Sequence, residues 1–502
     1  MRDLPPRAAR GRCRVEPVLT DPVSRIERSP AVRIARSALS GERAWLVGGP
    51  VRDAFLDRPV EDVDIVVAGE PERAARAVAT AADSHLFPLS ERFGAWRTIA
   101  RDRSWQADVT PLRGDGIEAD LALRDFTVNA MARPLETIGT LLDPHGGEED
   151  LAQGLLRAVT DGSFEDDPLR VLRLARFACE LGLDVEPATE ALARRAAPRI
   201  GAVAPERSFY ELRRLIASDD PARGIGLADS TGLLAHLMPE LDRLKGVEQN
   251  PYHHLDVWGH TLEVLEQLVE IEREPEAVFG ELGGRIGAEL RRPLADELTR
   301  GEALRLGALL HDAGKPATRA VNPEGRVLFW GHDGVGAGMA RDVCRRLHGS
   351  TALADYVAAL AQHHLRLGFL VHDRPLNRRH VYRYMRACEP VELEVTVLSA
   401  ADRLATRGQR TRTEAVEAHL DVARELAAEA LEWREHPPSP PVRGDELIAA
   451  LGIEPGPEVG RLLQIVEEAA FAGEARSRDE ALDVARKAAA GGASPASARR
   501  GA

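Results

Sequence analysis

Residues 61–67 read Glu-Asp-Val-Asp-Ile-Val-Val, a strand-like segment with two acids at alternate positions. Successive side chains of a β-strand point to opposite faces, so Asp62 and Asp64 project from one face, a few ångströms apart. Two adjacent carboxylates repel one another unless a divalent cation lies between them. A third acid, Asp108, lies in a second apolar segment, Ala-Asp-Val at 107–109. We therefore predict that Asp62, Asp64 and Asp108 are catalytic residues that bind Mg²⁺.

A pair of glycines precedes this strand. Gly48 and Gly49 separate a short apolar run at 44–47 from a helical pattern at 51–56. Glycines in a strand-to-helix turn leave backbone N–H groups accessible, and the helix N-terminus adds positive potential. The turn is therefore predicted to bind a triphosphate.

The spacing of apolar residues predicts alternating strands and helices to about residue 150 and helices beyond it. The predicted strands are 44–47, 60–67, 96–100 and 105–110. The predicted later helices are 169–181, 186–196, 206–216 and 259–271. Gly-rich residues 279–287 predict a loop, and the Pro/Glu-rich residues 434–442 predict a linker.

The composition is that of an ordinary globular protein of 502 residues, which is too long for one hydrophobic core. Its net charge of −14 argues against a protein that coats nucleic acid, yet a local basic surface could still bind one RNA. Four scattered cysteines without a Cys-x-x-Cys pair argue against disulfides and cysteine-bound zinc. No apolar run reaches membrane-spanning length, so we expect a cytoplasmic protein without membrane contacts.

A second set of metal-type residues lies in the later half of the chain. His260, the pair His311-Asp312, and Asp402 fall on three predicted helices. Neutral imidazoles and carboxylates from several helices can bind a transition metal and leave positions open for water. The order H…HD…D resembles the HD phosphohydrolase superfamily.

This resemblance implies further site residues. His332 and the pair His363-His364 occupy positions from which dimetal HD proteins supply extra ligands, and we predict His332 and His363 as ligands. Lys315 is expected to contact a substrate phosphate. The implied cofactor is a divalent transition metal such as Mn, Ni or Fe.

Five motifs in order over residues 44–216 resemble the class II tRNA nucleotidyltransferase and bacterial poly(A) polymerase family. They are GGxVRD at 48–53 with DxD at 62–64, RDFTVNAMA at 124–132, DPxGG at 143–147 with Asp150, Leu151 and Arg157, DDPLRVLRLARF at 166–177, and ER at 206–207 with Glu211-Leu212. The resemblance implies an α+β chain: a polymerase-β-like mixed-sheet domain, a mostly helical neck and body, and an all-α HD domain.

The resemblance also implies roles for individual residues. A carboxylate accepts from an exocyclic amino group and a guanidinium donates to ring nitrogen and carbonyl, so Asp167 and Arg170 are expected to read the base of CTP or ATP without a template. The other expected nucleotide-binding residues are Gly49, Arg52, Arg124, Arg173 and Arg176. The acceptor is expected to be the 3′ end of tRNA.

One departure from the family pattern bears on the product. Only residues 114–119 separate Arg113 from Asp120-Leu121, whereas relatives that add the full CCA carry a longer flexible segment there. In the family that segment is linked to the switch from C to A addition. CC-only addition is therefore a sub-hypothesis.

Two alternatives share these motifs in whole or part. A poly(A) polymerase has every motif of the front half, and an HD phosphohydrolase could carry a front half that only binds nucleotide or RNA. RNA is expected along the helices after residue 180, and the candidate contacts are Arg194, Arg195, Arg199, Arg213 and Arg214. The sequence makes no prediction of an oligomeric state.

The predicted divisions of the chain follow from these patterns. They are a disordered lead-in at 1–30, a nucleotidyltransferase head at 31–150, a nucleotide-selecting neck and RNA-binding body at 151–245, an HD domain at 246–432, a C-terminal helical segment at 433–487 and a disordered tail at 488–502.

Overall fold

The computed structural model describes residues 21–90 and 94–491. The parts of the predicted lead-in before residue 21 and of the predicted tail after residue 491 lie outside the described residues. The chain divides into two compact units, residues 1–237 and 238–502.

The first unit contains a mixed β-sheet followed by helices. Its helices are α1 (Pro22–Arg28), α2 (Pro30–Ala38), α3 (Gly49–Phe55), α4 (Pro71–Ala82), α5 (Ile117–Ala122), α6 (Gly147–Gln153), α7 (Ser163–Asp166), α8 (Leu169–Glu180), α9 (Pro187–Ala196), α10 (Pro205–Ala217), α11 (Pro221–Ser230) and α12 (Leu234–Leu237). Its strands are β1 (Ala44–Val47), β2 (Asp62–Val67), β3 (His85–Ser90), β4 (Ala95–Ile99), β5 (Gln106–Pro111), β6 (Ala132–Pro134), β7 (Leu155–Leu156) and β8 (Asp184–Val185).

The main sheet has the strand order β3-β4-β5-β2-β1-β6. β2 and β5 are parallel, and the other neighbouring pairs are antiparallel. This is the mixed sheet that the family resemblance implied. β3 was not predicted, because Pro88 interrupts its pattern; proline is tolerated there since β3 is an edge strand.

The two faces of β2 have different surroundings. Val63, Ile65 and Val67 point into the main core, which the sheet shares with α2 and α4. Val66 points to the opposite face, where a smaller cluster includes Leu121 of α5. Because strand side chains alternate, Asp62 and Asp64 lie on the same face as Val66, and both are exposed there.

The helices after the sheet agree with the predicted periodicity. α8, α9 and α10 correspond to the predicted helices at 169–181, 186–196 and 206–216. α9, α10 and α11 each have a proline in the first turn, where its missing N–H is not needed.

The second unit is almost entirely helical. Its helices are α13 (Pro239–Asp242), α14 (Val257–Arg273), α15 (Pro275–Phe279), α16 (Gly283–Leu290), α17 (Arg300–Leu310), α18 (Lys315–Thr318), α19 (His332–Arg346), α20 (Thr351–His363), α21 (Arg366–Leu370), α22 (Arg378–Cys388), α23 (Glu392–Ala405), α24 (Thr413–Glu435), α25 (Gly444–Leu451), α26 (Pro457–Phe471) and α27 (Arg478–Gly491). Two small hairpins are formed by β9 (Pro293–Ala295) with β10 (Leu298–Thr299), and by β11 (Ala320–Val321) with β12 (Val327–Leu328).

Three local predictions were wrong. The lead-in is helical from Pro22, since the Asp21 and Ser29 side chains cap α1 and α2. The predicted tail is helical to Gly491. Residues 279–287 form helical turns rather than a loop: a Cβ at Gly283 would lie 2.5 Å from the backbone nitrogen of Glu276, so this glycine permits close helix packing.

Candidate active sites

The acids of the first unit lie on two adjacent parallel strands. In the register of β2 and β5, Asp64 is the direct partner of Asp108. Asp62 and Asp64 flank the buried Val63 and share one exposed face. The predicted convergence of Asp62 and Asp64 on one side of the sheet is therefore present.

The electrostatics at Asp64 fit a cation site. Although Asp64 has accessible surface, surrounding protein atoms displace water from its carboxyl group, and this loss of hydration raises its pKa to about 6. The neighbouring Asp108 and Asp62 act in the same direction, against the opposing charges of Arg124 and Arg52. A divalent cation would offset this repulsion, and carboxylate oxygens are the ligands that Mg²⁺ prefers.

Asp108 has a partner that sequence reasoning missed. Arg97 of β4 is its register partner, and its Nε and Nη2 atoms each donate to one carboxylate oxygen of Asp108 at 2.6 Å. Both oxygens of the third predicted metal ligand are thus bound to a guanidinium. Asp62 and Asp64 are the better-placed pair for a metal ion.

The glycine turn lies beside these acids. Gly48 has φ +70°, a backbone conformation that favours glycine, and a Cβ there would lie 2.7 Å from Nη1 of Arg124. A Cβ at Gly49 would lie 3.8 Å from Oδ2 of Asp64. The structure therefore brings together the turn, Arg124 and the metal-type acids, as a triphosphate site requires.

Arg52 does not present a free guanidinium to this surface. Its Nη1 donates to Oδ1 of Asn129 at 2.6 Å and its Nε donates to Asp53 at 2.9 Å. Its Cζ lies 5.3 Å from the centroid of the Phe177 ring. Arg52 is buried, so its contacts position the turn rather than offer it as a ligand for phosphate.

Asp167 and Arg170 lie at the start of α8. Asp167 is paired with Arg207 of α10, whose Nη2 lies 2.7 Å from Oδ2 of Asp167. Arg170 donates to three carbonyl oxygens, those of Leu123, Arg124 and Ser163. Its contact with Arg124 links the predicted base-reading residues to the phosphate turn.

Arg173 and Arg176 form an internal ion-pair network. Arg173 donates to Asp125 and Glu211, and Arg176 donates to Glu211 and Glu180. The structure contradicts the predicted ligand role of Arg176, because this side chain is only 1% exposed and is paired with Glu211 and Glu180. Arg173 is likewise paired with two carboxylates, and its contacts connect α8 to the segments that carry Asp125 and Glu211.

The buried carboxylate of Glu211 is expected to be essential for stability. We expect Glu211→Ala to lower the free energy of unfolding by about 3–5 kcal/mol, because it leaves the buried guanidinium of Arg176 and the half-buried one of Arg173 partly unpaired. Urea unfolding followed by circular dichroism measures this. The matched control is Glu190→Ala, which breaks an exposed pair with Arg194 and should cost less than about 1 kcal/mol. Equal losses of unfolding free energy in the two variants would contradict the stabilising role of Glu211.

Two adjoining groups of largely buried metal-type ligands lie in the described part of the second unit. One is His260, His311 and Asp402, and the other is Asp312, His332 and His364. His260 lies on α14 and Asp402 on α23, and the pair His311-Asp312 directly follows α17. α17 starts with a capping box of Thr299 and Glu302. The predicted ligands His260, His311, Asp312, Asp402 and His332 thus come together.

One predicted ligand was assigned to the wrong histidine. His363 lies outside both groups, and its Nδ1 accepts a hydrogen bond from Arg366. His364 takes its place and is buried, with its Nε2 3.2 Å from Nε2 of His332. The sequence offered both residues of the pair, and helical phase separates them, since consecutive residues of a helix are about 100° apart.

The unpartnered atoms of these residues fit a bound cation. In His311, His332 and His364, Nδ1 lies 2.7 Å from a carbonyl oxygen three residues earlier. Each Nδ1 therefore carries the proton and donates it to that carbonyl, and the lone pair of each Nε2 points into the centre. The Nε2 atoms of His260 and His311 and Oδ1 of Asp312 are buried without a well-directed hydrogen bond, and Oδ2 of Asp312 is paired with Nζ of Lys315 at 2.6 Å. Buried polar atoms are rarely left in this state, so the donor set fits a metal.

The metal content of the two histidine variants distinguishes their roles. We expect His364→Ala to bind less metal than the wild type, because it removes a buried ligand atom from the group with Asp312 and His332. His363→Ala is the matched control and should retain full metal content. Elemental analysis after equilibration with Mn²⁺ provides the measurement, and metal loss in His363→Ala alone would contradict the structure.

Two further residues adjoin this centre. Lys315 lies 2.6 Å from Oδ2 of Asp312 and donates to Gln249 at 2.6 Å, so the predicted phosphate contact is tethered within the site. His253 has its ring centroid 4.8 Å from that of His260. Burial and the charges of His260 and Lys315 lower the pKa of His253 to about 4.

Comparisons with known proteins match most of the chain. A family model described as "Poly A polymerase head domain" matches residues 44–157. The A-adding tRNA nucleotidyltransferase of Deinococcus radiodurans is 38% identical over 445 residues, which cover 87% of this chain and 94% of that protein. The chain belongs to the tRNA nucleotidyltransferase family. It is therefore an enzyme of the nucleotidyltransferase class.

Other matches extend over the rest of the chain. The model "Probable RNA and SrmB- binding site of polymerase A" matches residues 182–245, and "HD domain" matches residues 257–407. The CC-adding tRNA nucleotidyltransferase of Thermus thermophilus is 36% identical over 446 residues, which cover 87% of this chain and 92% of that protein. The relatives in this family thus include one named for the addition of A and one named for the addition of CC.

Solved structures share the fold of this tRNA nucleotidyltransferase family member. The Thermotoga maritima CCA-adding enzyme complexed with tRNA has a TM-score of 0.61 at 21% identity, covering 94% of this chain and 99% of that chain. A complex of CCA-adding enzyme with CTP has a TM-score of 0.62 at 20% identity, covering 93% and 98%. Among the described residues, no helix combines the length and the apolar character needed to cross a bilayer.

Proposed function

We propose that this enzyme adds nucleotides to the 3′ end of tRNA. The observation that carries the proposal is the placement of Asp62 and Asp64 beside the Gly48-Gly49 turn and Arg124. Asp62 and Asp64 would hold Mg²⁺, which lowers the barrier to attack of a 3′-hydroxyl on the α-phosphate of CTP or ATP and neutralises the departing pyrophosphate. The turn and Arg124 hold the triphosphate.

The base is selected by the start of α8. Asp167 would accept from the exocyclic amino group of cytosine or adenine, replacing its ion pair with Arg207. Arg170 would hold this corner through its contacts with residues 123 and 124 and donate to the base from its remaining N–H groups. No nucleic-acid template takes part in this selection.

We propose further that addition is restricted to CC. β5 ends at Pro111 and α5 begins at Ile117, so the connection is short. Its far end is fixed, because Asp120 of α5 is buried and accepts from Arg113 and Arg124. A short connection tied down in this way has little length with which to reshape the base pocket for ATP.

Addition assays on three acceptors test this function. Transcripts of one tRNA ending at the discriminator nucleotide, at the first C and at CC are incubated with CTP, ATP or both. We expect two, one and no nucleotides to be added, all of them C. Addition of A to the CC-ended tRNA would overturn the CC restriction, and long A tracts on unrelated RNA would indicate a poly(A) polymerase.

A second activity is favoured by the ligand groups of the second unit. We propose that His260, His311, Asp312, Asp402, His332 and His364 hold divalent transition metal, which supplies an activated water for hydrolysis of phosphate esters at RNA ends. The observation that supports it is the convergence of these ligand atoms, which lie within 4.8 Å of one another in each of the two groups. The chain's own contribution is to orient the imidazoles through their Nδ1 atoms.

We assign both reactions to the cytoplasm. The substrates are tRNA and nucleoside triphosphates, and Cys179, Cys344 and Cys388 are buried free thiols, as a reducing compartment allows.

A further inference from the structure

A short segment before α14 lies against the metal-type ligands of the second unit. The ring centroid of His253 is 4.8 Å from that of His260, and the two rings are nearly perpendicular, at 88°. At the other end of the segment, Oε1 of Gln249 accepts a hydrogen bond from Lys315 at 2.6 Å. Nζ of Lys315 also lies 2.6 Å from Oδ2 of Asp312. The segment therefore adjoins both ligand groups, one directly and the other through the lysine.

Hydrogen bonds to a loop after α23 fix the backbone of this segment. The carbonyl oxygen of Tyr252 accepts from the backbone N–H of Gly408 at 2.6 Å and from Oγ1 of Thr411 at 3.0 Å. A Cβ at Gly408 would lie 2.2 Å from the carbonyl carbon of Tyr252, so glycine permits this close approach. The neighbouring imidazole of His253 is thus presented from a fixed backbone.

The contacts of His253 determine which of its ring nitrogens carries the proton. Nδ1 lies 3.1 Å from Oδ1 of Asn250, and the same Oδ1 accepts from the backbone N–H of Tyr252 at 3.1 Å. A backbone N–H can only donate, so this side-chain atom is the amide oxygen, which can only accept. Nδ1 of the neutral ring therefore carries the proton, and Nε2 has the lone pair. Within the described residues, no group is hydrogen-bonded to this Nε2.

The lone pair of Nε2 requires a donor in the substrate. His253 lies outside both ligand groups, so its Nε2 is not among the atoms that converge on a cation. The oxygens of an ionised phosphate only accept, and they would be repelled by a second lone pair. At an RNA end the donor next to a phosphate ester is the ribose hydroxyl, the group by which proteins distinguish RNA from DNA.

We propose that His253 is a specificity-determining residue that accepts a hydrogen bond from the ribose hydroxyl beside the substrate phosphate. The inference rests on the proposed phosphohydrolase function of this centre. Lys315, the predicted phosphate contact, is tethered by the same segment. The segment thus serves two adjacent groups of a ribonucleotide end, and the centre selects RNA ends over deoxyribonucleotide ends.

Two nucleotides that differ by one hydroxyl test this selection. They are adenosine 3′-phosphate and 2′-deoxyadenosine 3′-phosphate, hydrolysed at pH 8 with Mn²⁺ or Ni²⁺. The wild type should show about tenfold higher kcat/KM for the ribonucleotide, because the deoxynucleotide leaves Nε2 without a donor. His253→Ala should hydrolyse the two nucleotides with nearly equal kcat/KM, and an unchanged ratio in this variant would overturn the proposal.

Further variants separate the hydrogen bond from packing. His253→Phe keeps a ring against His260 without a lone pair and should also lose the preference, whereas His253→Gln, whose amide oxygen accepts, should recover part of it. Both should retain the wild-type metal content by elemental analysis, since residue 253 is outside the ligand groups. His436→Ala changes an exposed histidine of the same unit and should keep the wild-type ratio. A full preference in His253→Phe would contradict the hydrogen bond.

Binding measurements distinguish this inference from the proposed hydrolysis. In calorimetric titrations with excess CTP present to occupy the first unit, the wild type should bind the ribonucleotide about tenfold more tightly than the deoxynucleotide. His253→Ala should bind both equally. A wild type that hydrolyses neither nucleotide would overturn the phosphohydrolase function, and equal affinities in the wild type would overturn the role of His253.

Discussion

Asp64→Asn should lower the rate of CTP incorporation into tRNA by about a thousandfold or more. The carboxylate lies between the phosphate turn and Asp108, where its charge is needed to bind the cation that stabilises the transition state. Several kcal/mol of lost transition-state stabilisation correspond to three or more decades in rate. Single-turnover incorporation of labelled CTP at fixed Mg²⁺ measures the effect.

The matched control for this variant is Asp83→Asn. Asp83 is an exposed acid of the same unit that pairs with Arg101, and its loss should leave the rate unchanged. An Asp64→Asn enzyme with more than a tenth of the wild-type rate would remove the basis of the proposed mechanism. An equal loss in Asp83→Asn would point to a general effect on folding.

Asp64→Asn should also change the pH dependence of stability in the presence of EDTA. The pKa of Asp64 is raised to about 6 in the folded protein, so the folded state binds this proton more tightly than the unfolded state. The wild type therefore loses stability as pH rises from about 4 to above 6, and asparagine removes that loss. The melting temperature of the variant should exceed that of the wild type at pH 8 and equal it below pH 4.

Asp312→Asn should abolish phosphohydrolase activity, with an expected loss of about a thousandfold. Asp312 is buried, pairs with Lys315 through Oδ2, and adjoins His332 and His364. Hydrolysis of a 2′,3′-cyclic nucleotide in the presence of Mn²⁺ or Ni²⁺ provides the assay. Incorporation of CTP should be unchanged, because its proposed acids lie in the first unit.

Asp342→Asn is the control for the second site. Asp342 is an exposed acid on α19, the helix that starts with His332, and takes no part in the ligand groups. Substantial hydrolysis by Asp312→Asn would exclude the six-residue centre as the source of the activity. Absence of hydrolysis in the wild type would exclude the activity as a whole.

The alternation of side chains along strands and the spacing of apolar residues along helices were sufficient to predict much of the architecture. The alternation around Asp62 and Asp64 predicted their shared face, and helical spacing predicted α8, α9, α10 and α14. The HD ligands could be predicted apart from the choice between His363 and His364, which depends on the helical phase at the end of α20. Local periodicity is present in the sequence, so local structure could be read from it.

Pairings between distant residues could not be predicted. Arg97 is bound to Asp108 only because β4 and β5 are adjacent in a register that no local pattern reveals. Arg173 and Arg176 lie on a helix face that looked suited to a ligand, yet their partners Asp125 and Glu211 come from segments far apart in the chain. An arginine stripe indicates that a helix binds anions, and tertiary structure decides whether those anions are side chains.

The ring of Phe177 is in contact with three cations at once. The Cζ atoms of Arg52, Arg173 and Arg176 lie 5.3, 5.2 and 4.0 Å from its centroid. The negative potential of its faces offsets part of the mutual repulsion of these groups, which an aliphatic side chain of similar volume would not do. Because the arginines come from two helices, one beginning at the glycine turn and the other carrying Arg170, neither helix can rotate without disturbing the other.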